Sequence, residues 1–211
     1  MGKRCLIFGA GDFEGLYGPV REDDFLIAAD GGYRYAVEQG LFPHLVLGDF
    51  DSLGSVPQHP HVVQVPVEKD DTDMMLAVKL ALERGYRHMV LYGGLGGARI
   101  DHTLANLQTL LYAARRGAAA YLVGRGAVIT AVSGGTLSFP SGFAGYLSVF
   151  AMGPDAEGVT LRGLKYELHN GSLSAGFPLG VSNEFTGRAA EISVAQGDLL
   201  VTWSLENPVI F

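Results

Sequence analysis

Apolar residues follow two different patterns along this chain of 211 residues. Up to Arg125, short unbroken apolar runs alternate with longer stretches in which apolar residues recur every three or four positions. The unbroken runs CLIFGA, FLIAAD, HLVLGD, HMVLYGG and AAAYLVG predict strands covered on both faces. The periodic stretches GYRYAVEQG, DTDMMLAVKLALERG and DHTLANLQTLLYAARRG predict helices. In the second of these, Met74, Ala77, Val78, Ala81 and Leu82 fall on one helical face. Gly85 and Gly117 stand where a helix is expected to end in a left-handed residue. Strand–helix alternation of this kind predicts an α/β half: a mainly parallel sheet with helices on both sides.

Beyond residue 125 the helical period is lost. VITAV, GTLSF, YLSVFAM, GVTLRG, KYELH, GVSNEF, AEISVA and DLLVTW are short, β-branched or aromatic, and separated by Gly, Pro, Asn and Asp. They predict a C-terminal antiparallel β-sandwich or barrel. The boundary is expected between Gly124 and Gly126, dividing the chain into 1–125 and 126–211. No Ser/Pro-rich linker separates the two, so they are expected to pack together. Trp203 and Tyr166, in the second half, are read as core aromatics.

Composition narrows the functions. The chain carries 15 basic and 22 acidic residues, a net charge of −7, which argues against a nucleic-acid backbone as the main partner. No stretch approaches the roughly 20 apolar residues of a spanning helix, and the first apolar run is too short for a signal sequence. Cys5 is the single cysteine, so no intramolecular disulfide is expected. These features point to a cytoplasmic globular protein. His44, His59, His61, His88, His102 and His169 show no zinc-like spacing, and His59 and His61 read as solvated loop residues.

The acidic surplus is concentrated where chemistry is expected. In an open parallel sheet, ligands bind beyond the carboxyl ends of the strands. LVLGDFDSLG places Asp49 and Asp51 at such an end, where two hard oxygen ligands suit Mg2+; a bare reading makes them turn or cap residues. VEKDDTDMM crowds Asp70, Asp71 and Asp73 in front of a helix. Asp70, Asp71 and Thr72 are all N-cap residue types, and one of them is expected to serve only as a cap, but three Asp in four positions exceed what a cap requires. A metal, or Lys69, would relieve the repulsion, and Lys69 could equally meet a phosphate. YGGLGGARIDHTLANL sets Gly93, Gly94, Gly96 and Gly97 before a helix, with Arg99 and Asp101 directly after. This is a phosphate cradle in outline, although it lacks the Lys-Ser/Thr ending of a Walker loop. AADGGYRYA ends a strand at Asp30 and opens a helix at Gly31 and Gly32. FGAGDF near the N-terminus reads as an ordinary turn, because Asp12 and Glu14 would repel a pyrophosphate. Carboxylates at several strand ends, glycines and an arginine are together what phosphoryl transfer needs.

ADGG (29–32), GDFDS (48–52), KDDTD (69–73), GGLGGARIDHTLAN (93–106) and GVSNEF (180–185), in this order, resemble the thiamine pyrophosphokinase family. The resemblance spans nearly the whole chain. It implies an α/β catalytic half, a β-sandwich vitamin-binding half and a homodimer. It also implies ATP as donor and thiamine as acceptor, giving thiamine diphosphate and AMP. Asp49, Asp51 and Asp73 would hold Mg2+ and the ATP phosphates. Arg99 and Asp101 would act beside the nucleotide. Asp30, Gly31, Gly32, Lys69, Thr72, Gly96, Gly97, His102 and Asn106 would line its cleft, and Ser182 and Asn183 would contact thiamine at the dimer interface. A pyrophosphokinase for another alcohol such as a hydroxymethylpterin, a metal-dependent phosphohydrolase and a non-catalytic thiamine- or nucleotide-binding module are the rival readings.

Overall fold

A computed structural model describes residues 3–50, 53–66, 68 and 70–209. The first half alternates as the apolar pattern predicts. Strands β1 (Arg4–Phe8), β2 (Phe25–Ala29), β3 (Leu45–Gly48), β4 (Val62–Gln64), β5 (His88–Tyr92) and β6 (Ala119–Gly124) run with helices α1 (Gly32–Glu38), α2 (Asp73–Glu83) and α3 (Ile100–Ala114). These six strands are parallel, in the order β6-β5-β1-β2-β3-β4. β4 was not foreseen. It is a three-residue edge strand with no buried residue, between His61 and Pro66, too short for its two valines to set a strand period.

The sheet does not stop at β6. A two-residue turn, Arg125 and Gly126, sends the chain back as β7 (Ala127–Ser133), paired antiparallel to β6. Both turn residues have positive φ, 52° and 70°, the geometry that matches the twist of a tight hairpin. The remaining strands are β8 (Thr136–Phe139), β9 (Tyr146–Ala151), β10 (Ala156–Arg162), β11 (Leu168–Leu173), β12 (Asn183–Glu184), β13 (Ala190–Ser193) and β14 (Asp198–Ser204). Among the described residues, β7, β14, β9 and β12 extend the parallel sheet to ten strands, and β11-β10-β13-β8 form a second, antiparallel sheet. The predicted sandwich is therefore present, with one of its layers continuous with the parallel sheet.

Two cores cover the two faces. On one face, Met74, Ala77, Val78 and Ala81 of α2 and Leu110, Leu111 and Ala113 of α3 pack on Cys5, Ile7, Ile27 and Leu91. On the other, Ala36 of α1 packs near Leu6 and Phe8, and the second sheet contributes Phe139, Val159, Leu161 and Ile192. Trp203 lies in this core, in edge-to-face contact with Phe139 and Tyr121. Arg4 of β1 and Asp24 form a buried, two-pronged ion pair, and the guanidinium also donates to the Pro19 carbonyl. Arg115, after α3, donates to Asp198 at the start of β14 at 2.9 Å and so ties the two halves together.

Three local expectations are corrected. KYELH is not a strand; pairing begins only at Leu168. The buried amide of Asn183 takes both backbone groups of Tyr166, accepting from its N–H at 3.0 Å and donating to its C=O at 2.7 Å. That backbone is thereby diverted from a ladder. Tyr166 consequently stands 60% exposed rather than in the core. His59 is not simply solvated: its Nε2 lies 2.8 Å from the Pro43 carbonyl and its ring packs on Phe42.

Candidate active site

The strand order dictates where a ligand can enter. From β1 the chain moves outward to β2, β3 and β4, then returns to place β5 on the other side of β1. The connections leaving β1 and β5 diverge, and a crevice opens between their carboxyl ends. A cleft of about 320 Å³ lies there. Its walls are Gly9–Gly11 after β1 and Gly93–Gly97 after β5, with Asp30, Asp73, Arg99 and Asn106 around them. The N-terminal Gly-x-Gly, read from sequence as an ordinary turn, is thus part of the cleft. The expected repulsion is absent because Asp12 points to Arg125, with which it is ion-paired. The backbone N–H groups of Gly9 and Gly11 donate to the carbonyls of Tyr92 and Gly93, at 2.8 Å each. The two walls are therefore fastened to each other.

Three carboxylates come together here, and two of them, Asp30 and Asp73, line the cleft. Asp30 follows β2, Asp49 follows β3 and Asp73 opens α2; one oxygen from each lies within 4.8 Å of the others. Asp30 is held at φ 49°, a left-handed conformation that Asp tolerates better than most residues, and its N–H donates to the Leu47 carbonyl at 2.7 Å. Behind Asp49, Phe50 is also left-handed at φ 64° and buried. It anchors the turn against Ala28 and Val46. Asp30 Oδ1 is buried without a hydrogen-bond partner. Like charges brought together in this way repel unless a cation sits among them. Hard oxygens at this spacing suit a small divalent cation such as Mg2+, which keeps waters and shares phosphate oxygens. The donor set therefore fits a Mg2+ site made by Asp30, Asp49 and Asp73. Asp30, assigned from sequence to the nucleotide, stands with the expected metal ligands; Asp51 and Lys69 lie outside the described residues.

The rest of the acidic segment divides its tasks. Thr72 caps α2, its Oγ1 accepting from the Met75 N–H at 3.2 Å, and lines the cleft. Both carboxylate oxygens of Asp71 are bound by Lys79 Nζ, at 2.7 and 2.6 Å, so this Asp serves the helix. Gly31 and Gly32 are buried and do not line the cleft. A Cβ on Gly32 would collide with the Phe8 carbonyl, so glycine is required there for α1 to pack on β1. Arg99 sits at the cleft rim on the N-cap position of α3. It binds Asp101 through Nη2–Oδ2 at 2.5 Å and Nε–Oδ1 at 3.3 Å. The guanidinium holds the Asp101 carboxyl below the usual range, and Asp101 meets the cleft only through Arg99. His102 lines the rim, and Asn106, buried in the floor, donates to the Gly94 carbonyl at 2.8 Å.

Ser182 and Asn183 are elsewhere. β12 is five strands from β5, roughly 24 Å at ordinary strand spacing. Ser182 is exposed and its N–H donates to Ser148 Oγ, while Asn183 is engaged with Tyr166.

Comparison with known proteins matches both halves. Residues 19–122 match the family model described as thiamin pyrophosphokinase, catalytic domain, and residues 136–199 the one described as thiamin pyrophosphokinase, vitamin B1 binding domain. The chain is 30% identical over 200 residues to the thiamine pyrophosphokinase of Bacillus subtilis, covering 90% of this chain and 92% of the relative. The chain belongs to the thiamine pyrophosphokinase family. Its fold agrees with solved members. The crystal structure of the Bacillus subtilis thiamine pyrophosphokinase superposes with a TM-score of 0.82 at 28% identity, covering 96% of this chain and 99% of that one. The thiamin pyrophosphokinase of Geobacillus thermodenitrificans gives a TM-score of 0.81 at 31% identity, covering 95% and 97%. The acidic trio and the Gly93–Gly97 wall of the cleft fall within the segment matched by the catalytic model, and Gly9–Gly11 precedes it.

Proposed function

We propose that this protein transfers a diphosphate group from ATP to the hydroxyl of thiamine, releasing AMP. The observation that carries the reading is the grouping of Asp30, Asp49 and Asp73, two of which line a glycine-walled cleft, within a chain of the thiamine pyrophosphokinase family. The glycine walls admit the phosphates close to backbone N–H groups, and Arg99 at the rim supplies a guanidinium for their oxygens. The thiamine oxygen forms a bond to the β-phosphorus, the bond from that phosphorus to the α,β-bridging oxygen breaks, and AMP leaves with the bridging oxygen. The hydroxyl proton passes to a carboxylate of the trio, Asp49 or Asp73. A bound Mg2+ would neutralise the phosphate charge and align the transferred group. Asn106 keeps the Gly94 carbonyl turned away from the phosphates by binding it.

The division of labour follows the chain: 1–125 serves ATP and metal, 126–211 serves the vitamin. Ser182 and Asn183, at the far edge of the sheet, would reach thiamine at the cleft of a second copy, which makes the working unit a homodimer. An apolar surface beside them supports this. Tyr146, Phe177, Leu179 and Val181 are all exposed, and the Val149 N–H ties their loop to β9 through the Gly180 carbonyl. A Phe177→Asp variant is expected to be monomeric by light scattering and nearly inactive; a dimer of normal activity would remove this arrangement. Among the described residues no helix is long and apolar enough to cross a membrane, and we place the enzyme in the cytoplasm with no nucleic-acid partner.

The direct test mixes the protein with ATP and thiamine, with and without Mg2+. AMP and thiamine diphosphate are expected in equal amounts and only with Mg2+. Intact ATP, or phosphate release without thiamine diphosphate, would overturn the assignment.

A further inference from the structure

Arg125 belongs to the hairpin turn between β6 and β7, yet its head group reaches the nucleotide cleft from behind. It is ion-paired with Asp12, four residues beyond the end of β1 at Phe8. The pair lies directly against Gly96 of the glycine loop. A Cβ built on Gly96 would sit 2.5 Å from Arg125 Nε, 2.7 Å from Arg125 Nη2 and 2.6 Å from Asp12 Oδ2. Both side chains are roughly half exposed, at 58% and 42%. Exposed ion pairs add little to stability, so fold maintenance does not explain this one.

The loop it touches needs outside support. Gly93, Gly96 and Gly97 all have positive φ, at 63°, 75° and 85°, and a run of such residues has many alternative conformations when free. Separate elements restrain it at successive points. The Gly11 N–H holds the Gly93 carbonyl, Asn106 holds the Gly94 carbonyl, and the Asp12–Arg125 pair backs Gly96. The first two restraints act before Leu95, which is itself buried; beyond it, Gly11 lies beside Gly96 and Gly97, and the Asp12–Arg125 pair supplies the side-chain contact that backs Gly96.

We propose that Asp12 and Arg125 are positioning residues for nucleotide binding: their ion pair is a latch that holds the Gly96–Gly97 backbone in its binding conformation. The inference rests on the ATP reading of the cleft. Without the latch the loop is ordered only when the phosphates arrive, and that ordering weakens ATP binding while the reacting groups stay in place.

The test uses the full chain and the variants Asp12→Asn, Arg125→Gln, the double variant and Arg125→Lys. In each single variant KM for ATP is expected to rise about five- to tenfold, with kcat within about twofold and KM for thiamine unchanged. The double variant should be no worse than the worse single one, since both remove the same contact. Arg125→Lys should recover most of the loss. Amide exchange over 93–99 in the nucleotide-free protein should accelerate about fivefold in both single variants, with protection in β1 and β5 unchanged. Unchanged exchange over 93–99, additive kinetic effects, or acceleration spread over the whole chain would each overturn the latch. The exchange readout needs no nucleotide. A wild-type protein that bound no ATP would thus refute the reading of the cleft while leaving the latch to be decided by exchange.

Discussion

Asp30 shows how much of a residue's chemistry depends on its neighbours. It stands close to Asp49 and Asp73 with a buried oxygen that has no hydrogen-bond partner. In the absence of metal its charge is repelled, so Asp30→Asn is expected to melt at the same or a higher temperature than the parent without Mg2+. The same variant should lose the rise in melting temperature that Mg2+ gives the parent, and its kcat should fall about 100-fold or more. Calorimetry with and without Mg2+, beside the AMP assay, checks both; a variant that still gained stability from Mg2+ would remove Asp30 from the ligand set. Asn183 is the opposite case, a polar residue whose side chain satisfies backbone. Asn183→Ala leaves the Tyr166 N–H and C=O without their partner in a buried setting and should cost about 1–3 kcal/mol by denaturant unfolding. A variant of parental stability that fails only with thiamine would make Asn183 a binding residue alone.

At the scale of elements, the packing of α1 on β1 is set by a single position. Gly32→Ala would drive a methyl group into the Phe8 carbonyl. Carbonyl backbone cannot yield as a side-chain tip can, so the helix must shift. A loss of about 1–3 kcal/mol is expected from overpacking of this kind, together with weaker Mg2+ binding, because Asp30 immediately precedes the helix. Equilibrium unfolding and a Mg2+ titration followed by calorimetry test this, and an unaffected Mg2+ affinity would show that Asp30 is held independently of α1. α2 shows a division within one element: its buried face builds the core while its first turn delivers Thr72 and Asp73 to the cleft.

At the scale of the whole molecule, one titration bears on stability. His88, half-buried at the start of β5, has its imidazole pushed below the ordinary value, first by burial and then by the charges of Arg21 and Arg4. The unfolded chain therefore takes up a proton at higher pH than the folded one, and stability falls as pH drops below about 6.5. His88→Gln should flatten that part of the pH–stability curve, as thermal melts between neutral and mildly acidic pH would reveal. An unchanged slope would assign the acid sensitivity to the carboxylates.

The unbroken apolar runs and the three helical periods located β1, β2, β3, β5, β6, α1, α2 and α3, because burial on a repeating geometry writes itself into local order. Carboxylates at the ends of β2 and β3 and at the start of α2 were legible for the same reason: each sits where a regular element stops. The rest was decided in three dimensions. Sequence could not tell that β7, β14, β9 and β12 continue the first sheet, since antiparallel strands look alike whichever sheet they join. Nor could it tell that Asp71 would be spent on Lys79. Asp12, a reason from sequence to dismiss the first Gly-x-Gly, became compatible with a phosphate site only through an arginine 113 positions away. Local periodicity determined which segments are strands and helices. Strand order, which depends on contacts between distant segments, determined which of their ends meet, and therefore where the site is.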